Sequence, residues 1–173
     1  MEALILKKIF ITLGIIGALL IGTGVCARSV LYPLNNKDNI QKYSKEYNVK
    51  PEVIAAVIHF ETDFKSTPYK EGHRVGLMNI KDTEGIKMSK EIGLNITDPK
   101  DIASDDVNIQ IGTWYISHNG GDSNLDDMMG KWVLRNNDEK DEEQMVAYAK
   151  QYYGEKIEKR VKIYKILYPE LKF

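Results

Sequence analysis

The stretch Tyr47-Asn48-Val49-Lys50-Pro51-Glu52-Val53-Ile54-Ala55-Ala56-Val57-Ile58-His59-Phe60-Glu61-Thr62-Asp63-Phe64 decides how the chain is read. Asn48 suits the left-handed residue that closes one helix, and Pro51 suits the first position of the next. Val53, Ile54, Val57 and Ile58 then recur at helical spacing, which predicts a strongly apolar helix ending near Phe60 to Phe64. Glu61 falls at that end, between Phe60 and Phe64. A carboxyl pressed against apolar side chains loses solvation of its charged form. Holding the proton near neutral pH is what a general acid requires. Spacing alone does not decide this, because a glutamate at a helix end is more commonly solvated.

Upstream of this helix, Ile40, Tyr43 and Tyr47 form an apolar stripe, so another helix precedes it. Arg28 to Asp38 reads as a linker, with Pro33 and Asn35-Asn36 as breakers. Before the linker, Lys7 and Lys8 are followed by an uncharged run from Ile9 to Val25. That run has the length of a thin bilayer crossing and no polar face to turn to water. Positive charges on its leading side predict a cytoplasmic start, with everything after it outside the cell membrane. Two alternatives stay open: cleavage near Val25-Cys26-Ala27, which would release a secreted protein, and lipidation at Cys26, which Val25 disfavours. The expected organisation is a transmembrane segment over 1–27, a linker over 28–38 and one mainly α domain over 39–173.

Downstream, Gly72 to Gly76 reads as a loop and Thr83 to Ile92 as a helix closed by Gly93. Asp105 or Asp106 is expected to cap a helix through Ile109, Ile111, Trp114 and Tyr115. Leu125 to Leu134 reads as a further helix, Asn136 to Glu143 as a solvated charged segment, and Gln144 to Tyr168 as a long terminal helix. Strand signals are scarce. The chain has 173 residues and a net charge of −1, so nothing points to nucleic acid. One cysteine forbids an internal disulfide. His59, His73 and His118 show no metal-ligand spacing, and no glycine-rich phosphate loop or Ser-His-Asp set is present. No metal and no cofactor is expected.

Four blocks then stand in order: His59-Phe60-Glu61-Thr62-Asp63-Phe64, Val75-Gly76-Leu77-Met78-Asn79-Ile80, Asp98-Pro99, and Asn108-Ile109-Gln110-Ile111-Gly112-Thr113-Trp114-Tyr115-Ile116. Together they resemble the soluble lytic transglycosylase (SLT) family, whose pattern is Glu-Ser-x-Phe, Gly-Leu-Met-Gln, Asp-Pro and Asn-Ile-x-x-Gly-x-x-Tyr-Leu. Tyr153 to Tyr168 resembles the closing helix of the Gram-positive, clostridial and bacillar members. The resemblance covers about residues 32 to 170. It implies a lysozyme-like helical domain of the goose type that acts on peptidoglycan glycan strands. It further implies cleavage of the β-1,4 bond between N-acetylmuramic acid and N-acetylglucosamine, with formation of a 1,6-anhydro sugar. Glu61 is then the one acid/base, unlike the paired carboxylates of most glycosidases. Thr62 stands for the family serine, Gly76 for close backbone approach to the sugar, Met78 for a cleft wall, Asn79 for the family glutamine and Tyr153 for the cleft tyrosine. For Gly76 and Tyr153, plain packing is the competing reading. Asn108, Gly112 and Tyr115 read as structural.

The pattern breaks at one place. The family's Ala-Tyr-Asn-Ala-Gly string is absent, and counting from Asn124-Leu125 puts Trp132 where its tyrosine would stand, followed by Val133-Leu134-Arg135. Trp132 is open to stacking on a sugar or filling the core. Two functions therefore compete: an active lytic transglycosylase, and a degenerate lysozyme-like module that binds glycan or scaffolds a cell-envelope complex. Simple hydrolysis is a third outcome.

Overall fold

The computed structural model describes residues 11–15, 17, 26–138 and 140–171. The chain divides into two units, Met1–Pro33 and Leu34–Phe173. In the first, residues 11–15 and 17 are helical, and Ala27–Leu31 form one turn of π-helix closed by the Tyr32 N–H on the Ala27 carbonyl. Cys26 is exposed. Most of the expected span Ile9 to Val25 lies outside the described residues. Among the described residues, no helix is long and apolar enough to cross a membrane.

The second unit is helical. Helix α1 (Lys37–Tyr47) ends where Asn48 takes the left-handed conformation, and Pro51 opens α2 (Pro51–Thr62). Eight residues of α2 are buried, from Pro51 through His59, so it is the central strut. It packs against α1 and the terminal helix. The remaining helices are α3 (Asp82–Glu91), α4 (Asp105–His118), α5 (Leu125–Trp132), α6 (Glu142–Tyr148) and α7 (Gly154–Leu167). Ser104, not Asp105 or Asp106, occupies the N-cap of α4; both acids sit in its first turn. There they serve α1, with Asp106 accepting from the Tyr43 hydroxyl at 2.7 Å and Asp105 from Asn36 at 3.0 Å.

Three departures from the sequence reading bear on the site. The expected loop at Gly72 to Gly76 runs into a two-stranded antiparallel hairpin, β1 (Arg74–Val75) with β2 (Ile80–Lys81), pairing Arg74 with Lys81 and Val75 with Ile80. Strands of two residues are too short to show alternation. The expected helix Leu125 to Leu134 stops at Trp132 and tightens into a 3-10 turn, Val133–Asn136. The long terminal helix is three pieces: α6, a turn of π-helix over Ala149–Tyr153, and α7.

The hairpin is tied to α4 by one side chain. Asn108 is fully buried; its Nδ2 donates to the carbonyls of Val75 and Ile102, and its Oδ1 accepts from the Met78 N–H at 2.6 Å. Gly76 has φ +74°, and a Cβ there would fall inside the Asn108 amide. Glycine is therefore required twice over at 76, by backbone angle and by space.

Candidate active site

Glu61 lies in the last turn of α2. The helix stops abruptly because Asp63 and Phe64 both take positive φ, 50° and 58°. Left-handed conformations cost non-glycine residues roughly 1–2 kcal/mol each. Phe64 offsets this by burying its ring near Tyr164, and Asp63 by pairing with His59 at 3.2 Å. Thr62 donates its hydroxyl to the Leu77 carbonyl at 2.7 Å, which fastens the helix end to the hairpin turn.

The carboxyl of Glu61 meets N–H donors from three segments: the end of α5, the 3-10 turn after it and the hairpin turn. Oε1 accepts the Trp132 indole N–H at 2.7 Å. Oε2 lies 2.8 Å from Arg135 Nη2 and accepts from Asn79 Nδ2 at 3.2 Å. The Arg135 side chain is 2% exposed and that of Glu61 9%, so this ion pair is nearly sealed from solvent. The 3-10 turn explains why Trp132 and Arg135 arrive together, since side chains three apart eclipse in that geometry. The guanidinium also lies over the Trp132 ring at 4.2 Å and donates to the carbonyls of Trp132, Met78 and Asn79. Burial pulls the Arg135 guanidinium below its ordinary value, and the Glu61 charge pushes the other way. Asn136 completes the frame by donating to the Asn79 carbonyl and accepting from the Lys81 N–H.

Beside the carboxyl is a cavity of about 140 Å³, lined by Phe60, Glu61, Arg74, Val133, Arg135, Met145 and Tyr153. Among those residues Glu61 is the one acid. Arg74 is held at the rim by a two-point contact with Asp138, at 2.8 and 3.2 Å. Larger cavities exist at Asp122–Asp126 (430 Å³) and beside Tyr69 (360 Å³). In the second, the buried Asp82 accepts from the backbone N–H groups of Gly72 and Thr83, whereas Glu61 is met by the side chains of Trp132, Arg135 and Asn79, so size does not identify the site. No group of three or more potential metal ligands occurs among the described residues.

Of the residues singled out from sequence, four reach the site and Thr62 braces the helix end beneath it. Glu61, Asn79, Trp132 and Tyr153 converge, with Asn79 at φ +54° turning its amide toward Glu61. Three assigned surroundings need correction. Gly76 is crowded by Asn108 and leaves no backbone free for a sugar. Met78 is fully buried against Gly112, so it is core and not cleft wall. Trp132 is 1% exposed and presents its N–H to Glu61, with no ring face for stacking. The surroundings of Glu61 itself are polar on the side of its carboxyl, not apolar as the flanking phenylalanines had suggested. The fully buried Asn136 likewise departs from the solvated segment expected there.

Arg135 and Asn136 are the site residues that sequence reasoning missed. The one mark they leave in the sequence is a charged residue directly after the apolar Trp132-Val133-Leu134, which does not by itself say that Arg135 is buried.

A family model described as Transglycosylase SLT domain matches residues 38–151, more than half of the chain. No curated protein matches it.

Proposed function

Because the chain belongs to the SLT transglycosylase family, whose members are lytic transglycosylases of peptidoglycan, we propose that it cleaves glycan strands with Glu61 as its one acid/base. The observation that carries this reading is a single acid lining the cavity at the end of α2, with each of its oxygens already oriented by a neighbour. A carboxylate oxygen has two in-plane acceptor sites. Oε2 uses both, on Arg135 and Asn79, whereas Oε1 uses one, on Trp132. The proton that Glu61 handles is therefore carried on Oε1.

In the proposed reaction that proton passes to the glycosidic oxygen as its bond to the muramic acid C1 breaks, and the substrate's acetamido group assists at C1. Ionised Glu61 then takes the proton of the 6-hydroxyl while O6 bonds to C1. The acid is regenerated and no water is consumed. Arg135 keeps its place on Oε2 throughout, which orients the carboxyl and stabilises its ionised form between the two steps. Tyr153 and Phe60 supply the apolar wall.

A second reading is favoured by one observation. Both oxygens of Glu61 are engaged by protein side chains, Oε2 by Arg135 and Oε1 by Trp132, which suits a module that binds glycan without cutting it. Clearing of purified sacculi by residues 34–173, beside the Glu61→Gln variant, tests between them. Clearing by the parent alone supports cleavage; retention on sacculi without clearing supports binding.

The same proposal places the domain outside the cell membrane, tethered through residues 9–25 in a Gram-positive envelope, with a larger envelope complex as its partner. The uncharged run and its flanking lysines support this placement.

A further inference from the structure

We propose that Tyr148 and Tyr152 form a glycan-binding platform that continues the Glu61 cavity outward and receives N-acetylhexosamine rings. The inference rests on reading that cavity as a glycan cleft.

An unbroken line of rings leads from the cavity to the surface. Phe60 and Tyr153 line the cavity, with ring centroids 5.0 Å apart. Tyr153 meets Tyr148 edge to face at 5.3 Å, and Tyr148 meets Tyr152 at 4.7 Å. Tyr148 and Tyr152 are each 45% exposed, among the few large side chains of the second unit so open to solvent. Helix α6 buries none of its residues, so Tyr148 is not held there by the core.

The backbone has a feature that builds this line. On a regular α-helix each residue turns by roughly 100°, so Tyr152 would lie over Tyr148 and Tyr153 would point well away. Between them the chain makes a turn of π-helix over Ala149–Tyr153, with the Gly154 N–H bonded to the Ala149 carbonyl. The wider turn brings residues five apart onto one side. Tyr148 can therefore touch both Tyr152 and Tyr153. Single π-turns inside helices are found frequently at functional sites.

The ligand class follows from ring chemistry. A β-1,4-linked hexosamine presents C–H faces on its rings and polar groups around their edges. Tyrosine offers an apolar face with a hydroxyl tip, and two neighbouring exposed rings match a repeating chain better than a single polar contact would. Continuity with the cavity supplies the direction, from Glu61 past Tyr153 to Tyr148 and Tyr152.

The test uses the full-length chain in detergent and the β-1,4-linked N-acetylglucosamine hexamer as probe, titrated calorimetrically. Parallel sacculus digestion gives kcat and KM. Replacing both rings (Tyr148→Leu with Tyr152→Leu) is expected to weaken hexamer binding about tenfold, the scale of such aromatic contacts. KM should rise more than kcat falls. Keeping both rings (Tyr148→Phe with Tyr152→Phe) should leave binding near the parent value, which separates ring loss from misfolding. Equal hexamer affinity in the parent and the leucine pair would overturn the platform and leave the Glu61 cleft standing. If the parent itself binds neither hexamer nor sacculi, the cleft reading fails and the platform with it.

Discussion

Arg135 Nη2 lies 2.8 Å from Glu61 Oε2, and both side chains are almost fully enclosed. A charge pair removed from water in this way is sensitive to loss of either member, because the survivor is left buried and unpaired. The pair therefore ties the stability of the domain to the residue proposed to do its chemistry.

Glu61→Gln and Arg135→Met should each destabilise the domain by about 3–5 kcal/mol, the usual cost of breaking a buried pair. The double variant Glu61→Gln with Arg135→Met should cost clearly less than the two single changes together, since no charge is then stranded. Urea unfolding of the four proteins measures this. A loss below about 1 kcal/mol in either single variant would place the pair in the range of exposed ion pairs.

Trp132→Phe keeps most of the buried ring and removes only the N–H on Oε1. A hydrogen bond to a charged group is worth about 1.5–3 kcal/mol. Sacculus cleavage should accordingly fall roughly ten- to a hundredfold in kcat, with KM little changed. An equal change in both parameters would mean that the indole supports binding and not the position of the carboxyl.

Gly76→Ala and Asn108→Ala strike the same contact from two sides. The first places a Cβ where the Asn108 amide sits, at φ +74°. The second strands the Met78 N–H and the Val75 and Ile102 carbonyls. Each should cost at least about 1–3 kcal/mol, and the double variant less than their sum, because the clash disappears with the amide. Thermal unfolding decides it.

His59 gives the stability a pH dependence. Burial holds its imidazole below the ordinary value of 6.5; Arg160 adds to the depression and Asp63 opposes it. The unfolded chain then binds a proton more readily than the folded one as the solution is acidified. The contribution is fully present above pH 6.5 and is lost as pH falls through the depressed folded-state value. Denaturation midpoints measured from pH 7.5 downward should decline in this window, and His59→Gln should flatten the decline.

The helices that build the frame were legible because their signals are local. Asn48 closing α1, Pro51 opening α2 and the Val53–Ile58 run needed no tertiary information. Glu61 and Asn79 were legible as members of a motif, and the fold brings them within 3.2 Å of each other. The environment of Glu61 was not legible. Phe60 and Phe64 flank it in sequence, but Phe64 turns away toward Tyr164 once Asp63 and Phe64 go left-handed. What faces the carboxyl instead comes from a turn some seventy residues later, and its 3-10 geometry hid inside an apparently continuous helix. The π-turn at Ala149–Tyr153 escaped for the same reason: a one-residue change in hydrogen-bond spacing leaves no mark on hydrophobic period.

The most direct measurement of the central claim is mass spectrometry of the soluble muropeptides released from purified sacculi by the parent chain. Glu61 acting alone, first giving a proton and then recovering one from the 6-hydroxyl, predicts 1,6-anhydro ends, each one water lighter than a reducing end, and none from the Glu61→Gln variant assayed at a temperature where its circular dichroism shows it folded. Reducing ends only, or the same products from both proteins, would contradict it.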